Sequence, residues 1–214
     1  MTVLTDDIAR LLDERPGRVV VGLAGPPGAG KSTLAARIVD EFNGGAVALA
    51  SLVPMDGFHL SNAQLARLGR RSRKGAPDTF DAAGYLATLV RVRQAYSSDD
   101  VYVPKFDRTL EESIAAGLVV PANARLVVTE GNYLALASAE FGGVRELIDQ
   151  LYFLACPDAE RRTRLLTRQL AGGRSLVAAE HWVASVDESN AALIATTESR
   201  CDRTVRFDGS DWAN

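Results

Sequence analysis

Eight consecutive residues, Gly25-Pro26-Pro27-Gly28-Ala29-Gly30-Lys31-Ser32, match G-x-x-x-x-G-K-[ST] at every fixed position. An apolar run precedes them and a helical pattern follows, the context that this spacing needs to cradle phosphate. The glycines let successive N–H groups turn inward, and the helix that follows adds the positive end of its dipole. Gly25, Pro26, Pro27, Gly28, Ala29, Gly30, Lys31, Ser32 and Thr33 are therefore the expected nucleotide contacts. Lys31 would reach the terminal phosphates and the Ser32 hydroxyl would ligate Mg²⁺.

Two acids end apolar runs. Asp56 follows Val53-Pro54-Met55, at the carboxyl end of a strand, where open parallel sheets bind ligands. A carboxylate there can orient or deprotonate an attacking hydroxyl, or it can simply form a turn or cap a helix. Glu130 ends Leu126-Val127-Val128-Thr129 and could hold the hydration shell of Mg²⁺. His59 follows closely after Asp56 and reads either as a loop residue or as a substrate contact.

Basic residues are unevenly distributed. Of 24, only Lys31, Lys74 and Lys105 are lysines. Arg67, Arg70, Arg71, Arg73 and Lys74 crowd one segment, either as a solvated loop or as the wall of an anion site. Lys105, Asp107 and Arg108 read as an ion-pair cluster or as substrate contacts. Arg161, Arg164 and Arg168 share one helix face, as a solvated stripe or as a lid that brings charge to a transition state.

The elements that must position these groups follow from periodicity. Arg18 to Ala24, Ala46 to Val53, Leu126 to Thr129 and Leu151 to Ala155 are apolar runs too continuous for a half-wet sheet and read as buried parallel strands. Thr204 to Phe207 is a candidate last strand. Helical spacing covers Ser32 to Phe42, Tyr85 to Tyr96 and Asp158 to Leu170, and a leading helix is expected with Thr5 as its cap. Val101 to Val103 reads as a short strand running into a charged loop. Alternation of strand and helix implies βαβ crossovers, an α/β class with a three-layer fold built on a parallel sheet.

The 214 residues fit one domain, taken as 1–214 with a lid at roughly 158–190. Apolar residues make up 47% and the net charge is −3, which excludes global disorder and argues against nucleic-acid or membrane partners. The longest uncharged stretch, Phe42 to Met55, is shorter than the ~20 apolar residues of a membrane span. Asp6 and Asp7 oppose a signal peptide, so a cytoplasmic location is expected. Cys156 and Cys201 lack metal-ligand spacing and read as free thiols. No lysine follows an asparagine as in N-K-x-D, which disfavours a GTPase. Asp81-Ala82-Ala83-Gly84 matches D-x-x-G, but it does not follow a buried strand.

Together these segments resemble the P-loop small-metabolite kinases, which include uridine kinase, pantothenate kinase and phosphoribulokinase, over roughly Val19 to Phe207. Asp56-Gly57-Phe58 is similar to that family's D-x-F, Gly75-Ala76-Pro77-Asp78-Thr79-Phe80-Asp81 to H-P-D-A-F-D, and Pro104-Lys105-Phe106-Asp107 to P-V-Y-D. Glu130-Gly131 is similar to the E-G that ends the strand on the metal side. His59 stands where uridine kinases carry a tyrosine. The forms R-K-G-A-P, P-x-F-D-R and E-G-N-Y-L more closely resemble a bacterial branch labelled fructose transport system kinases.

The resemblance implies a kinase that uses ATP and Mg²⁺ to phosphorylate a hydroxyl of a small-molecule substrate such as a nucleoside, sugar or pantothenate-like compound. Asp56, Lys31, Arg164 and Arg168 are the expected catalytic residues, with Ser32 and Glu130 on the metal. His59, Lys74, Lys105, Asp107 and Arg108 are the expected acceptor contacts. The alternative from another class is a regulatory protein that binds nucleotide without transfer, and a homodimer is an open expectation about partners.

Overall fold

The apolar runs assemble edge to edge. The computed structural model describes residues 2–44, 49–207 and 212–213. Its main sheet holds β1 (Val19–Ala24), β2 (Ala50–Pro54), β5 (Leu126–Gly131), β6 (Gln150–Ala155), β7 (Arg203–Phe207) and a two-residue β8 (Trp212–Ala213). The order is β2-β5-β1-β6-β7-β8, with five strands parallel and β8 antiparallel at the edge. All residues of β1 and β5 are buried, as expected for strands covered on both faces. Ala46 to Ala48, expected at the start of the second strand, lie outside the described residues.

Side chains of β1 alternate between two cores. Val19, Val21 and Leu23 pack with α1 (Thr2–Glu14) and α2 (Lys31–Phe42) through Leu4, Ile8, Leu34 and Ile38. Val20 and Ala24 face the other core, with Tyr85, Leu89 and Val92 of α4 (Ala82–Gln94), which follows the short α3 (Asn62–Arg67) in the chain. The result is the expected three layers. The first helix begins before Thr5, which is buried within it and is not its cap, because Leu4 and Ile8 fall on one buried face. The D-x-x-G match is explained by capping, since the Asp81 carboxylate accepts the Gly84 N–H at 2.9 Å and opens α4.

One element departs from expectation. Val101 does not begin a short strand that ends in a loop; it opens a hairpin of β3 (Val101–Asp107) and β4 (Glu112–Val120). The register shifts between Val103 and Lys105, at Pro104, which has no N–H for the ladder. Beyond the sheet, α5 (Asp158–Ala171) is followed by α6 (Leu176–Trp182), a π-helical turn at Val183–Asp187, and α7 (Glu188–Ala195).

The junction of β1 and α4 with the β4–β5 connection is held by one buried side chain. The Arg18 guanidinium donates to the carbonyls of Ala124, Val92 and Pro121 at 2.7, 2.5 and 2.6 Å, and to that of Ala122 at 3.1 Å. Replacing it leaves several carbonyls unpaired, each at a cost of about 1–3 kcal/mol when buried. Arg18→Met is expected to destabilise the protein by about 3 kcal/mol and to lower Tm by roughly 6–12 °C in thermal unfolding.

Candidate active site

Ligand geometry here starts from strand ends that stop level with one another. β1 delivers the loop Gly25–Gly30, whose last residue caps α2. The Lys31 ammonium folds back onto the carbonyls of Gly25 and Pro26 at 2.8 and 3.0 Å and onto Asn132 Oδ1 at 2.8 Å. Burial lowers its pKa to about 8 against the opposing pull of Glu130 and Asp56. Gly28 is required because a Cβ there would lie 2.7 Å from the Arg161 carbonyl, so only glycine lets α5 press on the loop.

Glu130 lies inside β5, one residue deeper than the expected strand end, and is 4% exposed. Ser32 Oγ donates to its Oε1 at 3.0 Å. Burial and then the charge of Asp56 push the carboxyl up to about 7. Next in line, a Cβ on Gly131 would meet Met55 Cβ at 2.5 Å. That close approach seats the 3-10 turn Met55–Phe58, and with it Asp56, beside Glu130.

Asp56 is held by Arg108, whose Nη2 is 3.1 Å from Oδ2, while His59 Nε2 is 4.0 Å from Oδ1. Burial alone would raise this carboxyl, but the cationic form of His59, Arg108, Lys31 and Arg168 outweigh it and hold the carboxyl below its ordinary value. His59 stacks on Phe80 with ring centroids 4.0 Å apart. Its imidazole is held neutral down to a pKa of about 4, first by burial and further by Lys74 and Arg108, with Asp56 and a Thr79 backbone contact opposing.

These groups open into one cleft of about 880 Å³. Its walls also carry Lys74, whose ammonium donates to Asn62 Oδ1 at 3.0 Å and to the Glu111 carbonyl at 2.6 Å. From the far side, α5 contributes Arg164 and Arg168. Arg164 lies over the Phe207 ring at 4.5 Å, and Arg168 is 3.9 Å from Asp187. Arg161 leaves the expected row. It is 2% exposed, bonds the Pro27 carbonyl at 3.2 Å, and pairs with Asp158 and Glu188 at 2.7 and 3.1 Å.

Most of the sequence-derived set converges here: Lys31, Ser32, Thr33, Asp56, His59, Lys74, Arg108, Glu130, Arg164 and Arg168 all line the cleft, as do Pro27, Gly28 and Gly30. Gly25, Pro26 and Ala29 shape the loop behind it. Two residues are not brought in. Lys105 is exposed and not among the lining residues. Asp107 turns into the hairpin and accepts the N–H groups of Thr109 and Leu110 at 2.8 and 3.0 Å. Of the basic segment, Arg73 pairs with Asp78 at 2.6 Å and only Arg71 and Lys74 line the cleft.

Sequence reasoning missed Asn132, Asp187 and Asn190. Asn132 carried a signal, since it directly follows Glu130-Gly131. The other two did not, because a π-helical turn sets which face of the helix meets the cleft.

The sites fit a nucleotide and a hard cation. The loop cradle holds the Lys31 ammonium, whose hydrogen-bond acceptors among the described residues are all neutral, and the Ser32 hydroxyl and Glu130 carboxylate are oxygen donors suited to Mg²⁺. Among the described residues no cluster of three or more His, Cys, Asp or Glu could hold a metal by itself. No described helix is long and apolar enough to cross a membrane.

Comparison with known proteins gives the site a context. The profile of the phosphoribulokinase / uridine kinase family matches residues 20–207. A protein of Schizosaccharomyces pombe, provisionally named a uridine kinase, is 32% identical over 196 residues, covering 89% of this chain and 75% of the relative. The uncharacterized protein YggC of Escherichia coli is 36% identical over 192 residues, covering 89% and 78%. A crystal structure from Silicibacter sp. TM1040, provisionally described as a fructose transport system kinase, superposes with a TM-score of 0.84 at 33% identity, covering 94% of this chain and 97% of that one.

His59 yields a pH test. Its folded pKa of about 4 lies below the ~6.5 of an unfolded histidine, so the native state binds fewer protons between these values. The stability it carries is complete above pH 6.5 and drains as pH falls toward 4, by about 2–3 kcal/mol over the window. His59→Phe keeps the stacking and loses this dependence. Urea unfolding at stepped pH should show wild type losing ground to the variant from pH 6.5 to 4, and parallel curves would refute it.

Proposed function

This chain belongs to the phosphoribulokinase / uridine kinase family and is a phosphotransferase, and on that premise we propose that it transfers the γ-phosphate of ATP to a hydroxyl of a small metabolite. One observation carries the reading: the phosphate loop, Asp56 and Glu130 open into the same cleft, with Arg168 facing them. We take the chain as a single kinase domain with residues 158–190 as its lid.

Each residue's task follows from its surroundings. The ammonium of Lys31 exchanges the loop carbonyls for phosphate oxygens, and the loop N–H groups hold the rest of the polyphosphate. Ser32 and Glu130 would hold Mg²⁺, which neutralises charge on the phosphates when bound. Asp56, kept ionised by Arg108, accepts a hydrogen bond from the attacking hydroxyl and aims it in line. Arg168 and Arg164 place positive charge where negative charge develops on the transferred group. Little covalent chemistry is asked of the protein, since positioning and electrostatics supply most of the barrier reduction.

The names of the related proteins suggest nucleosides, fructose and other sugars as acceptors to try, and the resemblance to the pantothenate kinases adds pantothenate. ATP consumption measured against this panel should be stimulated by at least one member, and stimulation by none would reject the acceptor class. Asp56→Asn should lower kcat by about 10²–10⁴-fold with nucleotide binding retained by calorimetry. Turnover preserved in that variant would sink the assignment.

A further inference from the structure

Among the described residues, two buried side-chain polar atoms have no hydrogen-bond partner: Asp187 Oδ2 and His59 Nδ1. Both belong to residues that line the catalytic cleft. Elsewhere buried polar groups are well satisfied, as at Arg18 and where Thr129 bonds the Val53 carbonyl at 2.6 Å. Leaving such an atom unpaired is unfavourable, so an orphan in a cleft marks the place of a missing partner.

Asp187 ends the π-helical turn and is 5% exposed. Arg168 stands 3.9 Å from Oδ1, beyond hydrogen-bond reach, and Gln169, whose side chain helps hold the carboxyl's pKa down against its burial, leaves Oδ2 without a partner. Asn190, one turn further, brings its Nδ2 within 3.7 Å of a Cβ built on Gly75. The Gly75 carbonyl accepts the Tyr133 hydroxyl at 2.6 Å, and Tyr133 packs edge-on to Phe80, on which His59 stacks. The wall from Asp187 to His59 is thus continuous and reaches Asp56.

We propose that Asp187, supported by Asn190, reads a second hydroxyl on the phosphate acceptor, which is therefore an uncharged or anionic polyhydroxy compound. The inference rests on the kinase reading above. Oδ2 has only lone pairs to offer, so its partner must donate. A hydroxyl is chosen over an ammonium because seven basic side chains line the cleft against four acidic ones, which repels a cationic acceptor. Phe80, Phe106 and His59 line the same cleft and supply apolar surface beside these polar groups. A sugar, a sugar acid and the ribose of a nucleoside share this chemistry.

The test compares polyhydroxy acceptors with matched deoxy analogues in wild type, Asp187→Asn and Asp187→Ala. In wild type, removing the hydroxyl that is read should raise the acceptor KM at least tenfold. Asp187→Ala should raise KM of the full acceptor by a similar factor, leave KM for ATP unchanged, and lose the distinction between full and deoxy compounds. A fall in kcat with acceptor KM unchanged would overturn the proposal, because Asp187 would then act only through Arg168. So would phosphorylation of single-hydroxyl or amino acceptors alone, although the kinase reading would survive that result.

A second measurement needs no turnover. If Oδ2 is kept unpaired for a ligand, Asp187→Asn should raise Tm of the ligand-free protein by a few degrees. A lowered Tm would make the carboxylate a structural counter-ion and reject the proposal. Should no panel compound be phosphorylated, the acceptor reading fails through the wild type, while this stability result still decides the role of Asp187.

Discussion

A parallel sheet places every strand's carboxyl end on one side, and the rest of this molecule depends on that constraint. Register makes it stricter. Ala24 pairs with Gly131 and Pro54 with Glu130, so β1, β5 and β2 stop within a residue of one another. The loop with Lys31, the acid Glu130 and the acid Asp56 issue from these adjacent ends. No long-range search is needed to bring them together, because backbone hydrogen bonds have already set their spacing.

Such convergence concentrates charge where water is scarce. Lys31 and Glu130 are both almost wholly buried, and each displaces the other's pKa against its burial. Asp56 adds a second negative charge and Arg108 and Arg168 restore positive ones. These groups function as a set, since removing one leaves its neighbours with uncompensated charge in a low-dielectric cleft. On the proposed reading an anionic polyphosphate would enter a site whose cations outnumber its acids, and Lys31 would exchange the neutral carbonyls that hold it for phosphate oxygens.

What could be read from sequence was whatever is local. The phosphate loop declares itself because its eight residues, the strand before it and the helix after it are contiguous. Continuous apolar runs gave the parallel strands for the same reason. The β3–β4 hairpin was illegible because Ile114 to Gly117 lack two-fold alternation and remain largely exposed. Lys105 and Asp107 could not be sorted from Arg108, since their direction depends on the register shift at Pro104 and on the hairpin turn. Asp187 lies 131 residues from Asp56 and reaches the cleft only through a helical irregularity that no periodicity predicts.

Arg161 makes α5 a lever. Its guanidinium, buried and tied to the loop at Pro27 and to α7 through Glu188, fixes one point of the helix. Arg164 and Arg168 stand about 4.5 and 10.5 Å further along the axis at 1.5 Å per residue. With that point fixed, a tilt of about 10° would displace the helix at Arg168 by about 1.8 Å and at Arg164 by only about 0.8 Å, so the distal guanidinium is the one whose distance to the cleft floor is most sensitive to the angle of the helix.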